Sequence, residues 1–324
     1  MESERRSGET PLTGRRFPEY MRLRVERVSP TLAGRGGAPR RVASRCHALS
    51  VDVEDWYHDV AVGRVAAPRQ RVEANTLRLL ELLAEHGARA TFFFLGAVAK
   101  RFPSLVQRVA RAGHEIGSHG YAHRPVSEMS HAQFYADVGH SLRVIEDAAG
   151  KAVRAYRAPY FSILKGMQWP LNALRDLGLR YDSSILATVG RPGLGLVSPR
   201  TPYQLANGLW EVPVAILQFA FVHYLPLASG GGVRLVPPAL LNRWLRRFER
   251  DVGPGVFYVH PWEFDVESPT ARRLSRWPLR LGRRRLTRRL ATLMRDIQFG
   301  SIEEVFAAPL GSSLSRLGAS ALPH

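Results

Sequence analysis

The chain has 324 residues, 45% of them hydrophobic and 23% charged, a composition that supports a sizeable core and excludes a mainly disordered protein. The formal net charge is +18, but residues 1–45 hold 11 arginines against five glutamates and no aromatic-rich basic platform accompanies them, which disfavours a dedicated nucleic-acid binder. Cys46 is the only cysteine, so an intrachain disulfide is excluded and a reducing compartment is favoured.

The predicted elements begin after an extension rich in Arg, Gly, Pro and Ser. Residues 1–45 show no sustained apolar period and are predicted to be disordered. From Ala48 onward, short apolar runs alternate with patterns of helical spacing. In chain order they predict the strand Ala48–Val53, the helix Val72–His86, the strand Ala90–Leu95, the helix Pro103–Ala112, the strand His114–Ser118, a helix capped by Ser130 that runs to about Ala149, the strand Val153–Arg157, the helix Met167–Leu177, the strands Arg180–Ser183 and Trp210–Ile216, the helix Pro238–Val252 and the strand Val256–His260.

The C-terminal region is predicted to add one more helix around an arginine run. Arg283–Arg289 alternates with Leu286 and Leu290 at helical spacing, which indicates an amphipathic packing helix with a solvated basic face. Two long loops are expected at 190–207 and 225–236, and residues 308–324 are predicted to be a flexible tail.

Seven predicted strands, mostly separated by helices, indicate an α/β protein with a mainly parallel sheet. Closed on itself, this sheet is a deformed (β/α) barrel with about seven parallel strands, and we expect it to span residues 46–307, including the C-terminal helical segment. In such barrels the functional groups gather at the carboxyl ends of the strands. Polar residues at those ends are therefore the candidates for chemistry.

The first predicted strand ends in three carboxylates. Asp52, Glu54 and Asp55 lie within four residues of one another. Burying acids so close together without a cation is costly, so they are either solvated, or they hold a metal ion or a proton. Taken alone, this cluster is more typical of solvated or capping acids.

Three further strand ends carry polar side chains that could act with these acids. His119 and His123 stand at i and i+4, a spacing used by metal sites, although such a pair is often structural. Arg157 can clamp a carboxylate or can be an ordinary surface residue before the turn at Pro159. His260 follows the last apolar strand, where a lone histidine is more often structural.

Their coincidence at one end of a barrel favours a catalytic interpretation. Two histidines and one carboxylate form a three-ligand site with an open position, which is typical of a catalytic metal. A second carboxylate, an arginine and a third histidine remain as base, orienting group and acid. The set predicts metal-assisted amide hydrolysis.

At these residues the sequence resembles the polysaccharide deacetylase family (carbohydrate esterase family 4, with a NodB-type domain). It looks most like the branch associated with exosortase and exopolysaccharide gene clusters. The resemblance covers roughly residues 48–307. It rests on the ordered strings SVDVEDWYH, ATFFFLG, EIGSHGYAHRPV, YRAPYFSI, YDSSI, WEVP, GGGVRLVP, FYVHPWEFD and IQFGSIEEVF.

The resemblance implies a hydrolase that releases acetate from an N-acetylated polysaccharide or glycan. It implies a divalent metal, Zn²⁺ with Co²⁺ or Mn²⁺ as alternatives, held by His119, His123 and either Glu54 or Asp55. It implies Asp52 as base and the backbone N–H of Tyr160 as oxyanion donor. Beside the resemblance, the polar set suggests Arg157 as the orienting partner of Asp52, His260 as acid, and Asp182 or Asp265 as partner of His260. Trp56, Pro159, Tyr160 and Trp262 are candidates for the substrate-binding surface, with ordinary packing as the equal alternative for the three aromatic rings.

Two departures from the family pattern stand out. The family carries two adjacent Asp residues in its first motif, where this chain has Asp52-Val53-Glu54-Asp55. The family has Ser or Thr after the first metal-binding histidine, where this chain has Gly120. The first departure leaves open which acid binds the metal, and the second removes a hydroxyl beside the histidine pair.

Two other functions remain as alternatives. One is an allantoinase-like hydrolase of a small cyclic amide on the same fold. The other is a non-catalytic glycan- or membrane-associated binding protein whose basic ends contact anionic lipid. The chain shows neither a signal-peptide pattern nor an apolar run of ~20 residues. We therefore expect a cytoplasmic protein, with peripheral membrane contact through its basic ends; the sequence does not indicate an oligomeric state.

Overall fold

The computed structural model describes residues 46–58, 70–164, 167–185, 199–216, 228–265 and 282–307. The predicted extension 1–45 and tail 308–324 lie outside these residues and stay predictions. Within the described ranges, none of the helices combines the length and apolar character needed to cross a bilayer.

Nine strands of the described residues form one sheet. Their order across the sheet is β6-β7-β5-β4-β3-β2-β1-β8, with β9 also paired to β1. Every pairing is parallel except that of β6 with β7. The strands are β1 Cys46–Val53, β2 Thr91–Phe94, β3 Glu115–Ser118, β4 Ala155–Tyr156, β5 Tyr181–Asp182, β6 Tyr203–Gln204, β7 Trp210–Glu211, β8 Val256–Val259 and β9 Gln298–Gly300.

The sheet curls until its two ends meet. Beyond β7 the chain continues to Val214, which forms a parallel bridge with Val256 at the start of β8. The N–H of Ala215 donates to the Val256 carbonyl at 3.0 Å. A second parallel bridge, between Ser229 and Tyr258, adds to this contact, and the curled, mainly parallel sheet confirms the predicted deformed (β/α) barrel. The seven predicted strands are all present, and the short strands β6 and β9 are additions that the apolar pattern does not mark.

Helices cover the outside of the sheet. They are α1 Val72–Glu85, α2 Gly96–Arg101, α3 Pro103–Arg111, α4 His131–Ala149, α5 Gln168–Asp176, α6 Gly230–Leu235, α7 Pro238–Asp251, α8 Arg283–Asp296 and α9 Ile302–Val305. The predicted cap of α4 is confirmed, since Ser130 accepts from the N–H of Gln133 and Gly150 ends the helix in the left-handed region. The loop expected at 225–236 is wrong in part, because α6 forms there despite three consecutive glycines of low helix propensity.

The phenylalanine run of β2 shows why this strand reads as continuously apolar. Phe92 and Phe94 lie in the cluster between sheet and helices, whereas Phe93 lies in the separate cluster inside the barrel. Both faces of a parallel strand are buried in such a fold, so both alternating sets are apolar. A Cβ on Gly117 of β3 would come within 2.5 Å of the Phe93 ring. Glycine there lets that ring fill the barrel.

The amino end of the barrel is closed by the half-buried acid Glu115 and by α9, the last helix of the described residues. Glu115 accepts hydrogen bonds from the Tyr181 hydroxyl at 2.6 Å and from the N–H of Glu303 at 3.1 Å. Burial raises the pKa of Glu115 even though these hydrogen bonds oppose the shift. The contacts dock α9 beneath the barrel, so the opposite, carboxyl end is the one available for a functional site.

Candidate metal centre and active site

The candidate side chains lie at the carboxyl ends of four parallel strands, at one mouth of the barrel. Asp52 lies near the end of β1 and Glu54 just beyond it, while His119, Arg157 and His260 directly follow β3, β4 and β8. Because β1 lies between β2 and β8 in the sheet, residues distant in sequence converge at one mouth. The structure therefore brings together the motifs from which the chemistry was predicted.

The core of the site is a cluster of Glu54, His119 and His123. One ligand atom from each residue lies within 4.8 Å of the others, and all three side chains are buried. His123 Nε2 and Glu54 Oε2 are 2.7 Å apart. A carboxylate and two imidazoles are the donor set of catalytic zinc sites, with coordination positions left for water or substrate.

Backbone carbonyls fix the tautomers of both histidines. His119 Nδ1 donates to the Arg157 carbonyl at 2.7 Å, and His123 Nδ1 donates to the His58 carbonyl at 2.9 Å. Each neutral ring then has its free lone pair on Nε2, the atom that faces the cluster. Burial lowers the pKa of His119 to about 4, which keeps this ring neutral.

The contact between His123 and Glu54 tests whether a metal ion fits. An Nε2 lone pair 2.7 Å from a carboxylate oxygen is repulsive unless a positive charge lies on the ring or between the two groups. Burial disfavours a proton on His123, yet the charge of Glu54 raises its pKa, and the His123 charge correspondingly lowers the pKa of Glu54. A divalent cation would satisfy all three ligand atoms, so the residues fit this group.

Asp55, the other acid left open by the sequence, has a different contact set. Its Oδ2 accepts from the N–H groups of Arg71 and Val72 at 3.1 and 3.2 Å, at the start of α1. Burial raises the pKa of this carboxyl, opposed by those hydrogen bonds. Asp55 therefore caps a helix, and the acid that the structure places with the histidine pair is Glu54.

Asp52 and Arg157 form a buried ion pair beside the cluster. Arg157 Nη1 lies 2.9 Å from Asp52 Oδ1 and also donates to Ser50 Oγ at 2.7 Å. Nη2 donates to Ser183 Oγ at 2.8 Å, and the guanidinium lies 4.4 Å from the centre of the Phe93 ring. The arginine is fully buried, so the surface interpretation of this residue is wrong.

His260 faces both carboxylates of the site. Its Nε2 lies 3.7 Å from Glu54 Oε1 and 3.9 Å from Asp52 Oδ2, while its Nδ1 lies 3.4 Å from Glu263 Oε2. Burial disfavours the charged ring, but the hydrogen bond to Glu263 and the charge of Glu54 raise the pKa of His260 to about 9. A proton on Nε2 of this ring would face both carboxylates, so His260 is placed to act as a proton donor.

The partner of His260 is a correction to the sequence analysis, which selected Asp182 or Asp265. Asp182 lies in a buried carboxyl pair with Glu211, and Asp265 pairs with Arg71 Nε at 2.7 Å. Glu263 takes the place beside the imidazole. The sequence signal for it was present in the string HPWEF, since His260 and Glu263 are three residues apart at a helical turn.

The aromatic residues expected to line a sugar-binding surface separate into two groups. Trp262 is only 8% exposed, stacks on His260 with ring centres 5.2 Å apart and donates from Nε1 to Glu54 Oε1 at 3.4 Å. Of the two interpretations left open for Trp262, its burial favours packing over an open platform. Pro159 is also buried, whereas Trp56 is partly exposed and Tyr160 is 37% exposed. The accessible aromatic rings are thus Trp56 and Tyr160.

Tyr160 lies in a strained turn next to the histidine pair. Its φ is 58°, and that of Phe161 is 52°, so two consecutive non-glycine residues occupy the left-handed region. The Tyr160 hydroxyl donates to the His58 carbonyl at 2.9 Å, the same atom that receives His123 Nδ1. Sequence reasoning missed His58 because it acts through a backbone carbonyl, which leaves no residue-type signal.

Gly120, one of the two departures from the family pattern, has a conformational reason. Its φ is +74°, and a Cβ there would lie 3.1 Å from Asp137 Oδ2. That carboxylate accepts from the N–H of Tyr121 at 2.7 Å. Glycine permits this turn between the two histidines, where a Ser or Thr side chain would be strained.

Two family models match adjacent parts of the chain. Residues 62–181 match "Polysaccharide deacetylase", and residues 183–307 match "Domain of unknown function (DUF3473)". Strands from both matched segments belong to the one sheet. Asp52 and Glu54 precede the first segment, and His260 and Glu263 lie in the second, so the site is assembled across both.

The chain is also similar to curated deacetylases and, in its fold, to a solved structure. Over 141 residues the chain is 28% identical to the peptidoglycan-N-acetylglucosamine deacetylase of Bacillus cereus, covering 39% of this chain and 51% of that protein. Over 86 residues it is 40% identical to the chitooligosaccharide deacetylase of Sinorhizobium fredii, covering 26% and 40%. The chain thus spans about half the length of these relatives, or less. A Mycobacterium smegmatis structure described as a "putative polysaccharide deacetylase" shares the fold, with a TM-score of 0.57 and 22% identity over 89% of this chain and 96% of that one.

Proposed function

Because residues 62–181 match the polysaccharide deacetylase family model, we propose that the chain is a metal-dependent hydrolase that releases acetate from the N-acetyl groups of a glycan. One observation carries the proposal: Glu54, His119 and His123 present three ligand atoms within 4.8 Å of one another. The buried Asp52–Arg157 pair and His260 stand beside them. This set supplies a cation site, a base and an acid around one point.

Glu54, His119 and His123 would hold the cation. When bound, a divalent ion supplies the Lewis acidity that polarises an acetamide carbonyl and acidifies water. One carboxylate and two imidazoles favour Zn²⁺, with Co²⁺ or Mn²⁺ as substitutes. The carbonyl acceptors behind His119 and His123 hold both rings in the orientation that binding requires.

Asp52 is the base in this scheme. Arg157 holds Oδ1, which leaves Oδ2 directed toward His260 Nε2 at 3.9 Å. Asp52 accepts one proton from the attacking water as the oxygen adds to the carbonyl carbon. Because Arg157 is anchored by Ser50 and Ser183, the carboxylate is positioned before the substrate arrives.

Tyr160 and His260 complete the hydrolysis. From the family resemblance we assign the backbone N–H of Tyr160 to the negative charge that develops on the carbonyl oxygen. Tyr160 lies beside the cation site, with its ring centre 4.5 Å from that of His123. His260 donates its Nε2 proton to the amide nitrogen, and the C–N bond breaks. The products are acetate and a free amino sugar.

The substrate class rests on the relatives. Those matched are named for activity on peptidoglycan and on chitooligosaccharides, both N-acetylated glycans. The exosortase-type motif strings favour an exopolysaccharide as the polymer. Trp56, which is partly exposed, and Tyr160, which is exposed, are the proposed stacking surface for a sugar ring.

The test is acetate release from a panel of N-acetylated glycans, before and after chelation and after adding back Zn²⁺, Co²⁺ or Mn²⁺. We expect release that is lost on chelation and restored by a metal. Hydrolysis of allantoin without acetate release would favour the cyclic-amide alternative. Glycan binding without turnover under any metal would favour the non-catalytic one and overturn the proposal.

A further inference from the structure

We infer that Glu263 and Arg234 position His260 for proton donation to the leaving amine, so that the segment matched by the model of unknown function supplies the acid half of the site. The inference rests on the proposed deacetylase function. Neither residue was predicted from the sequence, and neither touches the proposed cation ligands through any described hydrogen bond or ion pair. Both act through the imidazole of His260.

The Glu263 carboxylate contacts two atoms of His260, the backbone nitrogen and Nδ1 of the ring. Its Oε2 accepts from the His260 backbone N–H at 3.0 Å and lies 3.4 Å from Nδ1. The same oxygen therefore fixes both the backbone and the ring. A donor on Nδ1 leaves the other nitrogen, Nε2, as the atom that faces Asp52 and Glu54.

Arg234 holds the other oxygen of Glu263. Its Nη2 lies 3.2 Å from Glu263 Oε1, and both side chains are buried. Arg234 is itself anchored to α6, because its Nε donates to the Gly230 carbonyl at 3.2 Å. A buried ion pair contributes little net stability after its desolvation cost, so its presence beside a site favours a positioning role.

The Glu263 carboxylate packs directly against the backbone of Gly230. A Cβ on Gly230 would lie 1.9 Å from Glu263 Oε2, so the first residue of α6 must lack a side chain for Glu263 to reach His260. On the other side, the Trp262 ring stacks on the imidazole. The imidazole of His260 is thus held by the carboxylate at Nδ1 and by the indole against its ring face.

This orientation matters at one step. As the tetrahedral adduct collapses, the C–N bond breaks and its electron pair takes the His260 Nε2 proton, which yields the neutral amine and acetic acid; the acid then loses its own proton to solvent and leaves as acetate. Asp52 then loses the proton that it took from water, and His260 regains one from solvent. An ester of 4-nitrophenol needs no such proton, because 4-nitrophenolate is already a good leaving group. The two substrate types therefore separate acid catalysis from the other steps.

The test compares acetate release from a chitooligosaccharide with hydrolysis of 4-nitrophenyl acetate by the metal-loaded full chain. For Glu263→Gln we expect kcat on the amide to fall about 10- to 100-fold while the ester rate stays within about threefold. Arg234→Met should shift the ratio in the same direction, and Arg234→Lys should recover part of it. Asp265→Asn, an acid-to-amide change in the same loop, should leave the amide-to-ester ratio at the wild-type value.

A second measurement does not depend on glycan turnover. In protein labelled with ¹⁵N-histidine, the His260 Nδ1–H signal is assigned by its loss in His260→Asn. It should move in Glu263→Gln and Arg234→Met and stay in place in Asp265→Asn. An unmoved signal, or an unchanged amide-to-ester ratio in Glu263→Gln, would overturn the inference. A wild type that releases no acetate while the signal still responds to Glu263 would overturn only the proposed function and would support the positioning role.

Discussion

Asp52 Oδ1 and Arg157 Nη1 meet at 2.9 Å in the interior of the barrel mouth, with side chains only 3% and 0% exposed. The pair joins β1 to the residue after β4, across the two intervening strands of the sheet. Arg157 also bonds Ser50 and Ser183. The Arg157 guanidinium therefore positions Asp52, the proposed base, and connects the carboxyl ends of β1, β4 and β5 through hydrogen bonds.

Replacing Arg157 should cost both stability and turnover. Arg157→Met leaves the carboxylate of Asp52 buried and unpaired, so we expect the free energy of unfolding to fall by roughly 3–5 kcal/mol. Urea denaturation measures this. In the Asp52→Asn, Arg157→Met double variant the stranded charge is gone, and part of the loss should be recovered. Equal destabilisation of the single and double variants would show that the pair is not the source of the effect.

Substitution of Glu54 should abolish metal binding, whereas substitution of the adjacent Asp55 should not. Glu54→Ala removes a proposed ligand and should abolish stoichiometric metal binding, as measured by plasma mass spectrometry of the purified protein. Asp55→Ala should keep the metal and instead lose about 1–2 kcal/mol of stability, because the start of α1 loses its cap. Retention of metal by Glu54→Ala and its loss from Asp55→Ala would reverse the assignment.

Glu211 should make the protein less stable as the pH rises. Burial and the nearby charge of Asp182 raise the pKa of Glu211 well above its ordinary value of 4.5. The folded state therefore keeps a proton that the unfolded state releases above about pH 4.5, and the stabilising contribution of this group declines with increasing pH. Glu211→Gln cannot ionise and can still accept from the N–H of Ile185. Its stability relative to wild type should increase between pH 5 and 8, to be measured by denaturation at several pH values; a pH-independent difference would contradict this.

His114 should make the protein less stable as the pH falls below about 6.5. This buried ring accepts from the N–H of Ala90 at 3.2 Å, and burial, together with the charge of Arg89, lowers its pKa to about 4. The unfolded state takes up a proton below about pH 6.5 and the folded state does not. Stability should thus fall by roughly 3 kcal/mol between pH 6.5 and 4 through this group. His114→Asn, which keeps an acceptor but does not titrate, should flatten that dependence in denaturation experiments.

Several sequence-based expectations concern features that the structure does not address. The cytoplasmic location, the membrane contact of the basic ends and the exopolysaccharide setting stay predictions. The helix containing Arg283–Arg289 does form, and its leucines are buried while Arg284, Arg285 and Arg288 are exposed. The predicted amphipathic packing helix is therefore confirmed, but its basic face is only partly solvated, because Arg283 is buried and Arg289 donates to the Arg234 and Val236 carbonyls.

The sequence by itself determined the barrel and the strand ends that carry its chemistry. Apolar runs such as ATFFFL mark strands buried on both faces, and polar residues directly after them must lie at the same mouth because the strands are parallel. Local patterning contains that information. For this reason Asp52, His119, Arg157 and His260 are predictable from the sequence alone.

Only the tertiary structure decided which side chains meet within that mouth. Glu54 and Asp55 are adjacent in sequence and have the same chemistry, but one reaches the histidines and the other caps α1. The sequence pattern favoured Asp182 or Asp265 as the partner of His260, whereas the structure places Glu263 there. The position of Glu263 depends on Arg234 and Gly230 of α6, a segment whose sequence predicts a loop. Side-chain direction and contacts across tens of residues are set by packing, so a one-dimensional pattern does not contain them.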